Sequence, residues 1–211
     1  MFSKHQMRKY KMTDLFQEKA KDWDANDRRK QLSSGIGSCI LKNVSMHEQM
    51  HVLDFGAGTG LISSQIAPHV EKITAVDVSE SMLEKLSSKP ELKGKVEILC
   101  QDITDKPIGI EYDLLMSAMS MHHVKDTDNM VKQFAAHLKR GGKIALADLD
   151  SEDGTFHTRG TEGVYHNGFD RTKFAAILQK YGFIHIRFET AYTVQGVSGT
   201  YPIFLALATK G

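Results

Sequence analysis

The sequence predicts an α/β fold: a doubly wound, mostly parallel sheet with helices on both faces. Three observations carry that prediction. Short apolar runs alternate with helical patterns from residue 51 onward, as repeated βαβ units require. One of these runs passes directly into a glycine loop at 56–60 and then into a helix. The last two runs, 184–192 and 201–208, flank a turn region from Gly196 to Gly199, so a hairpin makes them antiparallel.

The elements follow in order. Residues 1–30 are polar, with Lys4, Arg8, Lys9, Lys11, Lys19, Lys21, Arg28, Arg29 and Lys30 set against five aspartates and glutamates, which reads as a solvated face. Asn26 caps a helix whose Leu32, Ile36, Cys39 and Ile40 recur as one buried stripe, so that helix should pack on the domain behind it. Strands are expected at 51–55, 73–76, 96–99, 114–117 and 144–149, all buried. Helices are expected at 61–67, at 79–86 with Ser79 as cap, and at 127–138, where Gly141 and Gly142 end it. Asp170 caps a last helix at 172–181, which Gly182 stops. No repeat or linker interrupts residues 1–211, which read as a single domain.

Composition narrows the function classes. The 211 residues carry 27 Lys and Arg against 26 Asp and Glu, a net charge of +1 that argues against a nucleic-acid footprint. With 41% hydrophobic and 25% charged residues, the chain has globular rather than disordered or collagen-like proportions. The longest apolar run, from Ile203 to Ala208, falls far short of the roughly 20 residues a membrane helix needs. The N-terminus starts with mixed charges rather than an apolar signal core, so a cytoplasmic protein without a membrane partner is expected. Cys39 and Cys100 alone cannot build a disulfide framework or a thiolate zinc site, and read as reduced packing residues.

The chemistry concentrates at strand ends. In Val52-Leu53-Asp54-Phe55-Gly56-Ala57-Gly58-Thr59-Gly60 the glycines let the chain turn sharply and let a ligand lie against the main chain, ahead of a helix start with unpaired N–H groups. A dinucleotide loop would place its third glycine at 61, where Leu61 stands, so a pyrophosphate cradle is disfavoured. Asp77 ends the second strand, where a carboxylate can accept from both hydroxyls of a ribose; the alternative is a plain helix-start acid ahead of Ser79. Asp102 follows the third strand, where an acid could accept from an exocyclic adenine amine; taken alone it would read as a plain loop acid. Ligands of open α/β sheets bind outside these carboxyl ends.

With these blocks in order, followed by Leu138-Lys139-Arg140-Gly141-Gly142-Lys143 ahead of a strand, the sequence resembles the class I S-adenosylmethionine-dependent methyltransferases, in their small-molecule, type 11 branch, over roughly residues 14–211. The resemblance implies a Rossmann-like sheet of seven strands whose last strand is inserted antiparallel. It implies S-adenosyl-L-methionine as cofactor, with Gly56, Gly58 and Gly60 on its methionine part. Asp77, with Val78 beside it, would hold the ribose, and Asp102 and the Ile103 backbone the adenine. Asp54 would orient the loop or reach the amine through water, and the Ser117 carbonyl would face that amine. Met82 either packs on adenine or belongs to the core with Leu83 and Leu86. Phe16 to Asp24 also looks like the start of such enzymes. Residues 1–45 would then form a helical cap over the cleft, with Trp23 covering the cofactor and Arg28 or Arg29 meeting its carboxylate or simply packing.

Methyl transfer needs an acceptor held in line and a dry site more than it needs a covalent residue. A base helps where the acceptor loses a proton, and histidine suits that role. His122 and His123 lie just past the fourth strand; similar His-His pairs in the family often bond locally. The stretch 150–169, without a regular pattern, should overhang the same crevice as a substrate lid. It carries His157, Arg159, Tyr165, His166 and Asn167, of which Tyr165, His157, His166 and Asn167 are expected acceptor contacts and His166 a further candidate base, while Phe169 anchors the loop and Asp170 caps.

Several acceptors are disfavoured. Ser117-Ala118-Met119-Ser120 stands where amino methylation of DNA would want Asn/Asp-Pro-Pro-Tyr/Phe, and two distant cysteines cannot handle arsenic. Asp148 and Asp150 read as solvated acids rather than a metal site, so no metal is expected. The expected function is methyl transfer to an O, N or C nucleophile of a small molecule by proximity, with a histidine base, in a monomer or weak homodimer. A nicotinamide-dependent oxidoreductase and a non-catalytic S-adenosylmethionine binder are the alternatives.

Overall fold

A computed structural model describes residue 14 and residues 16–157 and 161–211. Lys4, Arg8, Lys9, Lys11 and Arg159 lie outside the described residues. One seven-stranded sheet runs in the order β3-β2-β1-β4-β5-β7-β6. Its strands are β1 (His51–Phe55), β2 (Lys72–Asp77), β3 (Val96–Cys100), β4 (Tyr112–Ala118), β5 (Leu138–Leu149), β6 (Phe183–Gln195) and β7 (Thr200–Lys210). The first five strands in chain order pair in parallel, and β7 enters antiparallel between β5 and β6. Gly196 N–H donates to the Gly199 carbonyl at 2.8 Å and closes the hairpin expected there.

Alternation along the strands divides the core. Val52, Ile73, Leu114 and Met116 face one side, under Ile36 and Ile40 of α2 (Asp27–Asn43) and Leu83 and Leu86 of α4 (Glu80–Ser87). Leu53, Val76, Leu115 and Phe204 face the other, under Phe134 of α5 (Thr127–Ala136) and Phe174 and Leu178 of α6 (Arg171–Lys180). The short helices α1 (Gln17–Lys21) and α3 (Ser63–Ile66) complete the set. Asn26, Ser79 and Asp170 each accept the expected N-terminal N–H bond, at 3.1, 3.2 and 2.9 Å.

Four expectations change. The 61–67 helix contracts to α3, with a single 3-10 turn at Ala67–His69 where Pro68 sits. β3 is the sheet edge and largely solvent-facing, because no strand covers its outer side. β5 begins at Leu138, six residues early, so Gly141 and Gly142 lie inside a strand. α5 is ended instead by His137, a buried ring whose Nδ1–H donates to the Gln133 carbonyl (2.7 Å) while its Nε2 accepts from Ile108 N–H (3.0 Å). Both ring nitrogens are thereby used, and the helix cannot continue into the strand.

Two glycines separate backbone strain from steric contact. Gly182, past α6, has φ of +84° and open space where a side chain would stand. Gly168, with φ of +77°, would put a Cβ 2.1 Å from the Asp150 carbonyl oxygen, at the bridge that joins Asp150 to Phe169. Gly182→Ala should therefore destabilise by about 1 to 2 kcal/mol, the ordinary cost of a left-handed residue. Gly168→Ala should cost markedly more in urea unfolding, because backbone must move; equal losses would contradict the close approach.

Candidate functional site

A cleft of about 540 Å³ opens at the carboxyl ends of β1, β2, β3 and β4, within the size range of small-ligand sites. Its floor starts with the turn after β1. Gly56 and Ala57 N–H groups both donate to the Val76 carbonyl, at 2.8 and 3.0 Å, which folds the loop over the end of β2. The three glycines then do different things, all at positive φ. A side chain at Gly56 would strike Ser120, while one at Gly58 would meet nothing within 4 Å. A side chain at Gly60 would stand 2.8 Å from Leu86, so this glycine serves helix packing and is absent from the cleft wall, contrary to its expected cofactor contact.

The acids behave differently as well. Asp77 accepts from Gly58 N–H on one oxygen (2.8 Å) and from Ser79 N–H on the other (2.9 Å), so the helix-start reading is realised in its geometry. It still lines the cleft, and a carboxylate has lone pairs left for a ligand's hydroxyls. Burial raises its pKa, with the N–H bonds of Ser79, Gly58 and Val78 opposing. Asp54, 2% exposed, accepts from Ser63 Oγ at 2.6 Å. Burial pushes its pKa up to about 7, with the Ser63 bond opposing and the Asp77 charge adding. Asp102 lines the far end and braces its own turn, accepting from Thr104 N–H and Oγ1 at 2.8 and 2.7 Å.

Val78 and Met82 also line the cleft, the first exposed and the second almost wholly buried, so Met82 serves core and cleft together. Ile103 and Ser117 do not line it; both side chains are buried, and Ala118, Met119 and Ser120 form the wall expected at Ser117. Met119 takes φ of +57°, and Ser120 Oγ donates toward the Gly56 and Ala118 carbonyls at 3.0 and 3.2 Å. That strained turn swings the chain across the glycine loop.

The N-terminal segment forms the opposite wall. Asp14 accepts from Ser79 Oγ, Ser81 Oγ and Ser81 N–H at the start of α4 (3.0, 2.6 and 3.2 Å). Asp24 accepts from Thr59 Oγ1 in the glycine loop at 2.5 Å and pairs with Lys89 at 2.8 Å. Between these ties, Trp23 lines the cleft with the Arg29 guanidinium stacked 3.9 Å from its ring centroid, and Phe16 meets Trp23 and His123 edge-on. Burial lowers the Arg29 pKa, and among the described residues no carboxylate pairs with it. Arg28 is exposed and off the cleft.

The histidines divide. His123 lines the cleft, its Nδ1 2.7 Å from the Gly163 carbonyl. Since a carbonyl only accepts, Nδ1 carries the proton and Nε2 keeps its lone pair. His122 is buried behind it, its Nδ1 2.8 Å from Asp148 Oδ1. Asp148 is fully buried and Asp150 is clamped by Arg171 at 2.7 and 2.8 Å, so neither is the solvated acid expected. Of the 150–169 residues, Tyr165 lines the cleft, while His157, His166 and Asn167 do not. His166 Nε2 lies 2.9 Å from the Val124 carbonyl and 3.2 Å from Thr127 Oγ1, which employs it in holding the loop, and its ring is not on the cleft wall. The stretch is tied at its start by the Asp150–Arg171 pair and by Ser151 and Glu152 N–H on the Phe169 and Asn167 carbonyls (3.2 and 2.9 Å), and at its end by Phe169 in the aromatic core and Tyr165 N–H on the His122 carbonyl (3.0 Å).

Residues 52–142 match a family model described as a methyltransferase domain. The chain is 32% identical over 118 residues to an uncharacterized methyltransferase of Schizosaccharomyces pombe, covering 51% of this chain and 42% of that protein. It is 33% identical over 102 residues to the ubiquinone biosynthesis O-methyltransferase of Coxiella burnetii, covering 47% and 44%. The chain thus spans less than half the length of these curated relatives. In fold it is similar to phosphoethanolamine N-methyltransferase 2 of Haemonchus contortus solved with S-adenosyl-L-methionine, with a TM-score of 0.70 and 18% identity over 95% of this chain and 61% of that one. Among the described residues no helix is long and apolar enough to cross a membrane.

The Asp54 environment gives a measurable linkage. Its folded pKa of about 7 lies above the ordinary 3.8, so the stability it contributes is complete below pH 4 and is lost as pH rises to about 7. Relative to Asp54→Asn, the parent should lose stability across that window and stay level above it. Urea midpoints of the two proteins that run parallel through the window would show that Asp54 is not buried as described.

Proposed function

We propose, on the premise that this chain belongs to the class I S-adenosylmethionine-dependent methyltransferases, that it methylates a small-molecule acceptor whose reacting group carries a proton, with His123 as the proton's destination. The single observation that carries the reading is the His123 ring on the cleft wall with Nδ1 committed to Gly163 and Nε2 without a partner among the described residues. The cleft fits the cofactor in two ways: the open space above Gly58 admits a ligand against the main chain, and the Arg29 guanidinium awaits an anion.

In this reading Asp77 accepts the ribose hydroxyls on its remaining lone pairs, Asp102 and Met82 bound the adenine, and Arg29 receives the carboxylate of the methionine end while Trp23 covers it. When bound, S-adenosyl-L-methionine supplies a methyl group on a positively charged sulfur, which an acceptor lone pair displaces in line as the S–C electron pair returns to sulfur. Phe16, Trp23, Met119 and Tyr165 exclude water from the remaining space and hold the acceptor near attack distance.

Burial and the neighbouring His122 push the His123 pKa down to about 4, with the Gly163 bond opposing. The ring is therefore neutral throughout the physiological range. A base this weak does not ionise a hydroxyl beforehand. Once the oxygen lone pair is committed to carbon, however, the hydroxyl proton becomes strongly acidic, and a nearby Nε2 suffices to take it.

The nicotinamide alternative is not favoured, since the relatives are methyltransferases and the third loop glycine faces α4. S-adenosylhomocysteine at millimolar concentration should raise the melting temperature, and NAD should not. Arg29→Ala should weaken S-adenosylhomocysteine by roughly 1.5 to 3 kcal/mol, a charge-assisted bond's worth, measured by calorimetry. An absent S-adenosylhomocysteine shift would sink the cofactor assignment.

Turnover is read as S-adenosylhomocysteine formed from S-adenosyl-L-methionine in a metabolite extract. His123→Ala should slow it about 100-fold or more while altering S-adenosylhomocysteine affinity by less than about 1 kcal/mol. A parent without extract-dependent turnover would favour the non-catalytic binder; a fully active mutant would leave acceptor positioning alone as the mechanism.

A further inference from the structure

We propose that Asp148, acting through His122, is the positioning residue that holds His123 in the Nδ1–H tautomer with its Nε2 lone pair presented to the cleft. This deepens the reading of His123 as proton acceptor and rests on it. Asp148 ends β5 wholly buried and accepts three bonds: His122 Nδ1–H at 2.8 Å, Leu149 N–H at 2.8 Å and His122 N–H at 3.2 Å. No lysine or arginine pairs with it among the described residues.

The contacts run onward from His122 in two directions. Its carbonyl accepts from Tyr165 and His166 N–H, at 3.0 and 3.3 Å, which pins the segment just after Gly163. The Gly163 carbonyl is the group that takes the His123 Nδ1–H, at 2.7 Å. The His122 ring also packs against His123, with centroids 4.2 Å apart and planes tilted by 43°, so each ring restricts the space in which the other can turn. One buried carboxylate thus fixes both the ring beside His123 and the carbonyl that selects its tautomer. In water a neutral imidazole interconverts freely between tautomers; here only one satisfies the Gly163 carbonyl.

Electrostatics support the arrangement. Burial lowers the His122 pKa, but the Asp148 charge and hydrogen bond outweigh it and raise the result. The charged or titratable groups facing His123 are His122 on its own turn, Asp148 from β5 and His157 from the loop, with the Phe16 ring on the remaining side. Burial, with the His122 charge adding to it, pushes His123 toward the neutral form. Removing the Asp148 charge lowers the His122 pKa and so weakens that second contribution.

The test is nitrogen-15 NMR of histidine-labelled protein, which needs no acceptor. In the parent, His123 should show protonated Nδ1 and unprotonated Nε2, unchanged from pH 8 to pH 5. In Asp148→Asn the same ring should sample both tautomers. S-adenosylhomocysteine affinity should change less than twofold. A parent His123 with protonated Nε2, or an Asp148→Asn protein whose His123 keeps its tautomer, overturns the proposal.

Should Asp148→Asn not fold, His122→Asn and His122→Ala serve instead. Asparagine can still donate to Asp148 and should preserve the His123 tautomer, whereas alanine cannot and should scramble it; identical spectra would overturn the proposal. The outcomes separate the two readings. If His123→Ala keeps full turnover while the spectra follow expectation, the base role fails and the positioning stands.

Discussion

Two main-chain N–H groups, from Gly58 in the loop after β1 and Ser79 at the head of α4, converge on the Asp77 carboxylate, and the cleft depends on that convergence. Parallel pairing of Phe55 with Val76 brings the ends of β1 and β2 level, and the Val76 carbonyl then draws in Gly56 and Ala57. With both strands ended, only a side-chain acceptor can hold the loop's next donor. Asp77 supplies it, and Thr59, one residue further on, becomes the anchor for Asp24 and the N-terminal wall. The wall is thus built on the loop, and the loop on one carboxylate.

That arrangement concentrates acids in a poorly solvated place. Asp54 is buried and Asp77 half-buried, and desolvation dominates both shifts. They differ in their partners: Asp54 has one hydroxyl, whereas Asp77 has main-chain N–H groups that stabilise its charged form. One site therefore holds a carboxylate poised near neutrality deep in the sheet and another better supported as an anion at the surface of the cleft. Opposite them, Arg29 brings a guanidinium whose only described contact is an aromatic face. The cleft wall thus carries carboxylates and a guanidinium together.

Four histidines show how environment rather than residue type assigns a role. His137 stops a helix with both ring nitrogens. His166 holds a loop to the Val124 carbonyl. His122 is buried against Asp148, whereas its neighbour His123 is pushed toward neutrality by its own burial and by the His122 charge, with the Gly163 bond and the Asp148 charge opposing. Adjacent positions in the chain thus acquire opposite shifts, because one ring has a bonded carboxylate to outweigh its burial and the other does not.

Much of the fold was legible in the sequence, since βαβ alternation, caps at Asn26, Ser79 and Asp170, and the terminal hairpin are local patterns governed by backbone geometry. The glycine loop and Asp77 were legible for the same reason: a strand, a turn and a helix start lie within a few residues of each other. Boundaries that depend on distant partners were not. β5 extends to Leu138 because Tyr112 of β4 pairs with it, and α5 ends where His137 meets Ile108, neither of which is a local signal. The candidate site divides along the same line. Sequence spacing located His122, His123 and Tyr165 near a strand end, but could not say that Asp148, 26 residues from His122, binds that histidine and leaves its neighbour free, nor that His166 turns away. Those roles are set by contacts between residues far apart in the chain, and only the folded sheet brings their side chains within hydrogen-bond distance.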